Sequence, residues 1–351
     1  MQDLKQSAKK ISRREFLKLS GISLVSVALS SSYTQLNPGN PFIKDKSNFS
    51  PSKYGRVISN HLWTFDYPSL SANPLERLKR DAVLPITNSL IGQEEPTYNR
   101  LWYEIDGNGY AHSGMIQPVD TKLNIPESSM DGKGFLVETS VPYTDAIWDP
   151  KWGRTTAYRV YHGTTFWVDR IVKDDFGKTW YRFLDDQWNY HYYGDAVHFR
   201  KITLDEIAPL SPDVPGEDKR IEVRLSSQIV IAFEYNKPIY MTRAATGAKF
   251  STGNFSTPLG IFITNRKRPS RHMTDGSSYD LPGIPWVCYL NERGVSFHGT
   301  FWHNDFGKPR SHGCINLPTE GAKWLYRWTQ PDVPLNENYW AQDFGTRVDV
   351  I

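Results

Sequence analysis

The chain has 351 residues, enough for two or three domains with a sizeable core. Its 41 Lys and Arg stand against 38 Asp and Glu, a balance that gives no electrostatic case for a nucleic-acid partner. Aromatic residues make up 14% of the chain and there are 25 Gly and 23 Pro, which suits a turn-rich, strand-rich protein rather than a helical one.

Residues 1–36 read as an export signal, not as part of a fold. Lys9, Lys10, Arg13 and Arg14 form a basic stretch, an apolar run follows from Phe16 to Leu29, and Ser30 to Ser32 supply small residues. The run is too short and too rich in serine for a membrane span of ~20 residues. Ser12-Arg13-Arg14-Glu15-Phe16-Leu17-Lys18 resembles the twin-arginine signal, which implies a protein working in the periplasm or on the outer face of the membrane or wall, with the segment either cleaved after a transient membrane contact or retained as an anchor. Residues 37–52 form a Pro/Ser/Asn linker.

Residues 53–120 carry short strand signals at Arg56–Ile58, Asp81–Ile86 and Leu101–Ile105, and Asp106-Gly107-Asn108-Gly109 marks a hairpin turn. Residues 134–205 repeat the outline, with Trp180-Tyr181 placed 78 positions after Trp102-Tyr103. Both stretches resemble bacterial SH3-like domains, which implies two small β-barrels of the kind that attach wall enzymes to peptidoglycan. A packed β spacer without a binding site fits the same outline. Pro209 to Asp218 reads as a second linker, and residues 219–351 as a further, mainly β domain.

In that last part Ile221–Leu225 alternates as a half-buried strand, and Gln228–Phe233 and Lys237–Thr242 form a pair turning at Glu234-Tyr235-Asn236. One helix is expected from Pro318 to Trp328, with Trp324, Leu325 and Trp328 on its inner face. Only two cysteines occur. Cys288 lies in the apolar run Trp286-Val287-Cys288-Tyr289-Leu290 and reads as a buried strand residue, while Cys314 sits in a polar, glycine-containing turn. A disulfide between them is the alternative.

The chemistry gathers around Cys314. A strand, Gly294 to Thr300, carries His298 into Gly299; twelve residues later comes Ser311-His312-Gly313-Cys314-Ile315-Asn316. A thiol attacks acyl groups as thiolate, and its ordinary pKa of ~8.5 leaves little thiolate at neutral pH. An imidazole neighbour takes the proton or holds the thiolate as an ion pair. The Gly313 and Cys314 amides are candidates for an oxyanion hole. An extended 311–315 puts His312 and Cys314 on one face. Zinc held by His298, His312 and Cys314 is the weaker alternative, since no fourth ligand is evident, and no metal or cofactor is expected. His272 and His303 read as surface or loop residues. Arg310 is either a carboxylate-binding fork or a solvated loop charge. Thr300 and Tyr279 are candidate substrate contacts, and Trp302 is either a groove wall or a core residue.

These residues resemble the signature of the L,D-transpeptidase (YkuD-type) catalytic domain over about residues 219–351. Thr257-Pro258-Leu259-Gly260 is similar to that family's strand opening, and Met273 to Trp286 to the stretch bordering its donor site. The resemblance implies a β-sandwich-like domain in which Cys314 is the nucleophile and His298 the base. Ser311, His312, Gly313, Asn316 and Gly299 then shape the site. The implied substrates are peptidoglycan stem peptides: Cys314 takes the acyl group of a tetrapeptide, releases D-Ala and passes the acyl group to an amine. Carbapenem-type β-lactams are implied inhibitors. A hydrolase using the same thiol and a non-catalytic wall-binding protein remain the alternatives.

Overall fold

A computed structural model describes residues 54–92, 96–130, 132–152, 154–334 and 337–351; the export signal and the first linker lie outside the described residues. The chain forms three β units in succession. The first comprises β1 (Tyr54–Val57), β2 (Leu62–Phe65), β3 (Pro74–Leu78), β4 (Val83–Ile91), β5 (Leu101–Ile105), β6 (Gly109–His112) and β7 (Ile116–Val119). The second comprises β8 (Phe135–Thr139), β9 (Tyr143–Ile147), β10 (Thr156–Tyr161), β11 (Thr165–Lys173), β12 (Thr179–Leu184), β13 (His191–Asp195) and β14 (Phe199–Lys201). Their strand orders, β3-β2-β6-β5-β4-β1-β7 and β10-β9-β13-β12-β11-β8-β14, are the same topology shifted by seven strands.

Trp102-Tyr103 and Trp180-Tyr181 occupy matching strands, β5 and β12, and all four are buried. In the first unit Tyr103 packs with Val57, Ile105 and Ile116; in the second, Tyr181 packs with Phe166, Phe183 and Phe199. Each buried aliphatic side chain of this kind is worth roughly 1.5–3 kcal/mol, so the repeated pattern builds two small separate cores. Trp188 to Tyr190 forms the turn before β13, where Asn189 takes a left-handed φ of 56°.

The third unit begins after one helical turn, α1 (Leu204–Ile207). Pro209 to Asp218 is not a free linker. Its Leu210 amide donates to the Arg327 carbonyl at 3.0 Å and its Leu210 carbonyl accepts from Lys219 Nζ at 3.2 Å. One sheet contains β15 (Lys219–Arg224), β16 (Ile229–Glu234), β17 (Lys237–Arg243), β20 (Gly260–Ile263) and β26 (Arg347–Val350), and a small hairpin joins β18 (Lys249–Phe250) to β19 (Gly253–Asn254). The other sheet contains β21 (Arg266–Thr274), β22 (Asp280–Tyr289), β23 (Ser296–Gly299), β24 (Ile315–Leu317) and β25 (Trp340–Ala341). The β16–β17 turn forms where expected, with Tyr235 and Asn236 both at positive φ, as a two-residue hairpin of matching twist requires.

Helix α2 (Thr319–Trp328) packs on β22 and β23. It buries Ala322, Leu325, Tyr326 and Trp328, while Trp324 is half-buried and stacks on Tyr240 at 4.0 Å. Lys267, itself buried, closes the helix's C-terminal end by donating to the carbonyls of Tyr326, at 2.8 Å, and Thr329. Burial pushes this lysine down to about 8, and the helix-end carbonyls are the partners that hold it there.

His272 is a buried pin between the second and third units, not a surface residue. Its Nδ1 lies 2.6 Å from Asp185 and its Nε2 2.5 Å from Asp280. Beside it Arg271 pairs with Asp186 at 2.7 Å, and across the same seam the Thr165 hydroxyl donates to the Pro269 carbonyl at 2.7 Å while the Ser270 hydroxyl donates to the Thr165 carbonyl. Burial alone would lower the His272 pKa, but the Asp185 and Asp280 carboxylates outweigh it and the net shift is upward. Burial acts against the Asp185 carboxylate, and the His272 hydrogen bond together with backbone donors brings it below its ordinary value. The pair therefore stabilises between two limits. It is lost below the unfolded carboxylate value of ~3.9, and lost again as pH rises through the elevated His272 pKa. The variant His272→Leu is expected to lower stability by about 3 kcal/mol at pH 6 and by less at pH 9, read from urea midpoints at the two pH values. An equal loss at both would show that the charge pair contributes nothing.

Candidate active site

Strand alternation brings the site together. Parallel pairing sets Phe297 against Ile315 and His298 against Asn316, so Ser296 and His298 on β23 lie beside Asn316 on β24 and Cys314 in the bend just before it. Ser296 Oγ lies 3.7 Å from Cys314 Sγ, and the Gly294 carbonyl lies 3.6 Å from the same sulfur. His298 is 2% exposed and Asn316 2%, whereas Cys314 is only half-buried, so the face opens to solvent at the thiol.

The His298 ring is held in one tautomer. Its Nδ1–H donates to the Gly299 carbonyl at 3.0 Å, which leaves Nε2 as the nitrogen available to the thiol. Burial pushes the Cys314 thiol up, but the His298 hydrogen bond and charge, helped by Ser296, bring it below its ordinary value. Gly299 has no room for a side chain: a Cβ would meet Pro285 Cγ at 2.7 Å and the Thr319 Cα at 3.2 Å.

The turn carrying Cys314 is built by local side chains. Residues 312–314 form a bend, in line with the glycine-containing turn read there and not with the extended arrangement also considered, because Gly313 takes a φ of 117°, open to glycine alone. Ser311 Oγ braces this bend by donating to the Cys314 carbonyl at 2.5 Å and accepting the Gly313 amide at 3.1 Å. The Gly313 N–H is thus engaged within the turn, and of the two expected oxyanion donors only the Cys314 amide has no partner among the described residues. Thr257 fixes the bend from the other side. Its hydroxyl donates to the Gly313 carbonyl at 2.8 Å and accepts from the Gly247 amide at 2.8 Å. Such a geometry can generate a thiolate at neutral pH and aim it at an acyl carbon.

Comparison with known proteins matches this part of the chain. Residues 218–350 fit the YkuD model, the L,D-transpeptidase catalytic domain. The domain is 26% identical over 145 residues to YciB of Bacillus subtilis, which carries the L,D-transpeptidase name provisionally; the match spans 38% of this chain and 73% of that protein. Among solved structures, an Enterococcus faecium L,D-transpeptidase is 26% identical over 38% of this chain and 50% of its own, with a TM-score of 0.29. The avibactam carbamoyl form of the enzyme Ldtfm is 28% identical over 38% of this chain and 49% of its own, with a TM-score of 0.30. L,D-transpeptidase 3 of Mycobacterium tuberculosis with a faropenem-derived adduct is 18% identical over 38% and 60%, with a TM-score of 0.29. The chain therefore spans about half to three fifths of the length of these solved relatives.

Within this domain the remaining candidates divide. Tyr279 stands near the thiol: burial raises its hydroxyl pKa, and the Cys314 charge adds to that. Trp302 lies half-buried against the His298 ring at 5.7 Å, so it supports the histidine. The His312 ring is exposed, stacks on Phe250 at 4.8 Å and meets Phe255 edge-to-face at 4.6 Å, which sets it on the rim beside the β18–β19 hairpin. Arg310 is not a free fork, since its Nη1 lies 3.4 Å from Asp305. Thr300 is buried, with a hydroxyl that meets no partner among the described residues. Cys288 is a fully buried free thiol in β22, and Cys314 is free as well, so no disulfide joins them. No cluster of three His, Cys, Asp or Glu side chains suited to a metal occurs among the described residues.

Three participants gave weak signals. Ser296 lies one alternation before His298, a position that only the strand register reveals. Thr257 was visible as part of a strand opening, not as the hydroxyl under Gly313. His303 is buried rather than exposed in a loop; its Nε2 lies 3.0 Å from Asn316 Nδ2 and its Nδ1 accepts the Asp305 amide. Burial lowers it to about 3, so it stays neutral. Replacing Thr257 with Val would leave a buried carbonyl and a buried amide without partners. A loss of about 2–3 kcal/mol is expected by urea unfolding, together with a slower alkylation of Cys314 by iodoacetamide. Unchanged alkylation in the folded variant would remove Thr257 from the support of the site.

Proposed function

We propose that this protein is an exported peptidoglycan L,D-transpeptidase in which Cys314 is the nucleophile and His298 its base. The observation that carries the reading is the Cys314 thiol held below its ordinary pKa by an imidazole whose other nitrogen is tied to Gly299. His298 takes the thiol proton as sulfur attacks the carbonyl before the terminal D-Ala of a tetrapeptide stem. The Cys314 amide faces the developing oxyanion. Collapse of the adduct breaks the C–N bond, and the proton passes from His298 to the leaving D-Ala nitrogen, leaving a thioester. An amine of a second stem then attacks that thioester, loses a proton to His298 and releases the thiol. Tyr279 walls the acyl site, and His312 with Phe250 and Phe255 forms its rim.

The twin-arginine stretch around Arg13 and Arg14 supports action outside the cytoplasm, where stem peptides are found. The two repeated β units suit SH3-like domains and a role beside the wall polymer. Carbapenems would acylate Cys314 as mimics of the acyl donor, in keeping with the β-lactam-derived adduct on the Mycobacterium tuberculosis relative. Incubating the full chain with a tetrapeptide-stem muropeptide and reading products by mass spectrometry tests the reading. Crosslinked dimers with loss of D-Ala are expected. Tripeptide monomers alone would make the enzyme a hydrolase, and no turnover would leave a wall-binding protein.

A further inference from the structure

The loop joining His298 to the Cys314 turn is held from outside its own domain. Arg56, on β1 of the first unit, is 1% exposed. Its Nη1 donates to Asp81 at 2.8 Å, and its Nε and Nη2 donate to Gln117 Oε1 at 3.0 and 2.8 Å. The same Nη2 donates to the Phe301 carbonyl at 2.8 Å. The guanidinium also covers the Tyr161 ring of the second unit at 4.1 Å, and that ring stacks on Phe301 at 5.3 Å and 25°. All three units therefore meet at Phe301.

The first unit grips the loop again a few residues later. The Asn304 amide donates to the Gly114 carbonyl at 3.0 Å, and the Tyr98 hydroxyl donates to Asp305 at 3.2 Å. Between the two grips lie Trp302, whose ring rests against His298, and His303, which holds the Asn316 amide beside His298. A tether needs neither contact. Burying a permanent charge is costly, and a fork with four hydrogen bonds to three partners fixes a geometry rather than merely filling space.

We propose that Arg56 is a positioning residue for the catalytic pair: it fixes the Phe301–Trp302 peptide and so the Trp302 ring that seats His298 against Cys314. The first unit is then a working part of the active site. This inference rests on Cys314 and His298 acting as nucleophile and base. It predicts that weakening the grip changes the reactivity of a thiol that Arg56 does not touch.

The test uses the full chain and iodoacetamide, with Cys314 alkylation followed by peptide mass spectrometry from pH 5 to 9. The variants are Arg56→Lys, Arg56→Gln and Tyr98→Phe, alongside His298→Ala. Lysine keeps a charge for Asp81 but cannot also reach Phe301 as a fork, and Tyr98→Phe removes one hydroxyl while keeping the ring. Arg56→Lys and Arg56→Gln are expected to slow alkylation at pH 7 by about fivefold or more and to move its midpoint upward, and Tyr98→Phe to slow it by about twofold. Circular dichroism identifies the folded variants. Wild-type rates and midpoints in folded Arg56→Lys and Tyr98→Phe would overturn the proposal, even if melting temperatures fell. Alkylation needs no acyl donor, so absence of muropeptide turnover would not mimic this failure. An unaltered rate in His298→Ala would instead sink the underlying pair.

Discussion

Replacing Cys314 with alanine is expected to reduce product formation from a tetrapeptide-stem muropeptide by at least about 10³-fold, equivalent to roughly 4 kcal/mol on the barrier. Without sulfur no thioester forms, and neither transfer nor hydrolysis has a covalent route. The fold should tolerate the change. Cys314 is half-buried, its sulfur makes long contacts to Ser296 and Gly294 beside its interaction with His298, and the bend around it is held by Ser311 and Thr257. A melting temperature within a few degrees of the native protein, together with lost turnover, is the expected outcome. Turnover surviving in the variant would remove Cys314 from the mechanism. Cys288 offers no substitute, because it is fully buried and burial pushes its thiol up.

The variant His298→Ala is expected to lower the same rate by about 10²- to 10⁴-fold. Its signature lies in the pH profile. In the native protein His298 holds the thiol below its ordinary value, so reactivity is lost as pH falls through that lowered pKa. Removing the imidazole leaves burial to act alone, which raises the thiol. The alkylation midpoint should therefore move above the ordinary ~8.5, and high pH should restore part of the lost reactivity. A midpoint that does not move would mean that His298 shapes the site without sharing the thiol's proton.

Legibility in the sequence followed how local each feature is. The pair itself was readable, because a strand into Gly299 and a glycine turn before Cys314 are local patterns. The 78-residue offset between Trp102 and Trp180 likewise foretold two units of one topology. Helix α2 was visible from Pro318 and its apolar stripe. Features that depend on distant partners were not. His272 and His303 look like ordinary loop residues until Asp185, from another unit, and Asn316, from another strand, are placed beside them. The turn at Gly313 was readable, but the Ser311 and Thr257 hydroxyls that brace it were not, since Thr257 lies far away in the chain. Pro209 to Asp218 reads as a linker by composition alone, yet its backbone is bonded to helix α2 and its carbonyl to Lys219. Arg56 carried no sequence signal, since the Phe301 carbonyl it holds lies 245 residues away.

Incubating the full chain with a carbapenem, then measuring intact mass and mapping the modified peptide, tests the central claim most directly. A single adduct of the drug's mass on the peptide containing Cys314, absent from the Cys314→Ala variant, is predicted. An unshifted mass, or an adduct carried on any other residue, would contradict a reactive acyl-accepting thiolate at Cys314.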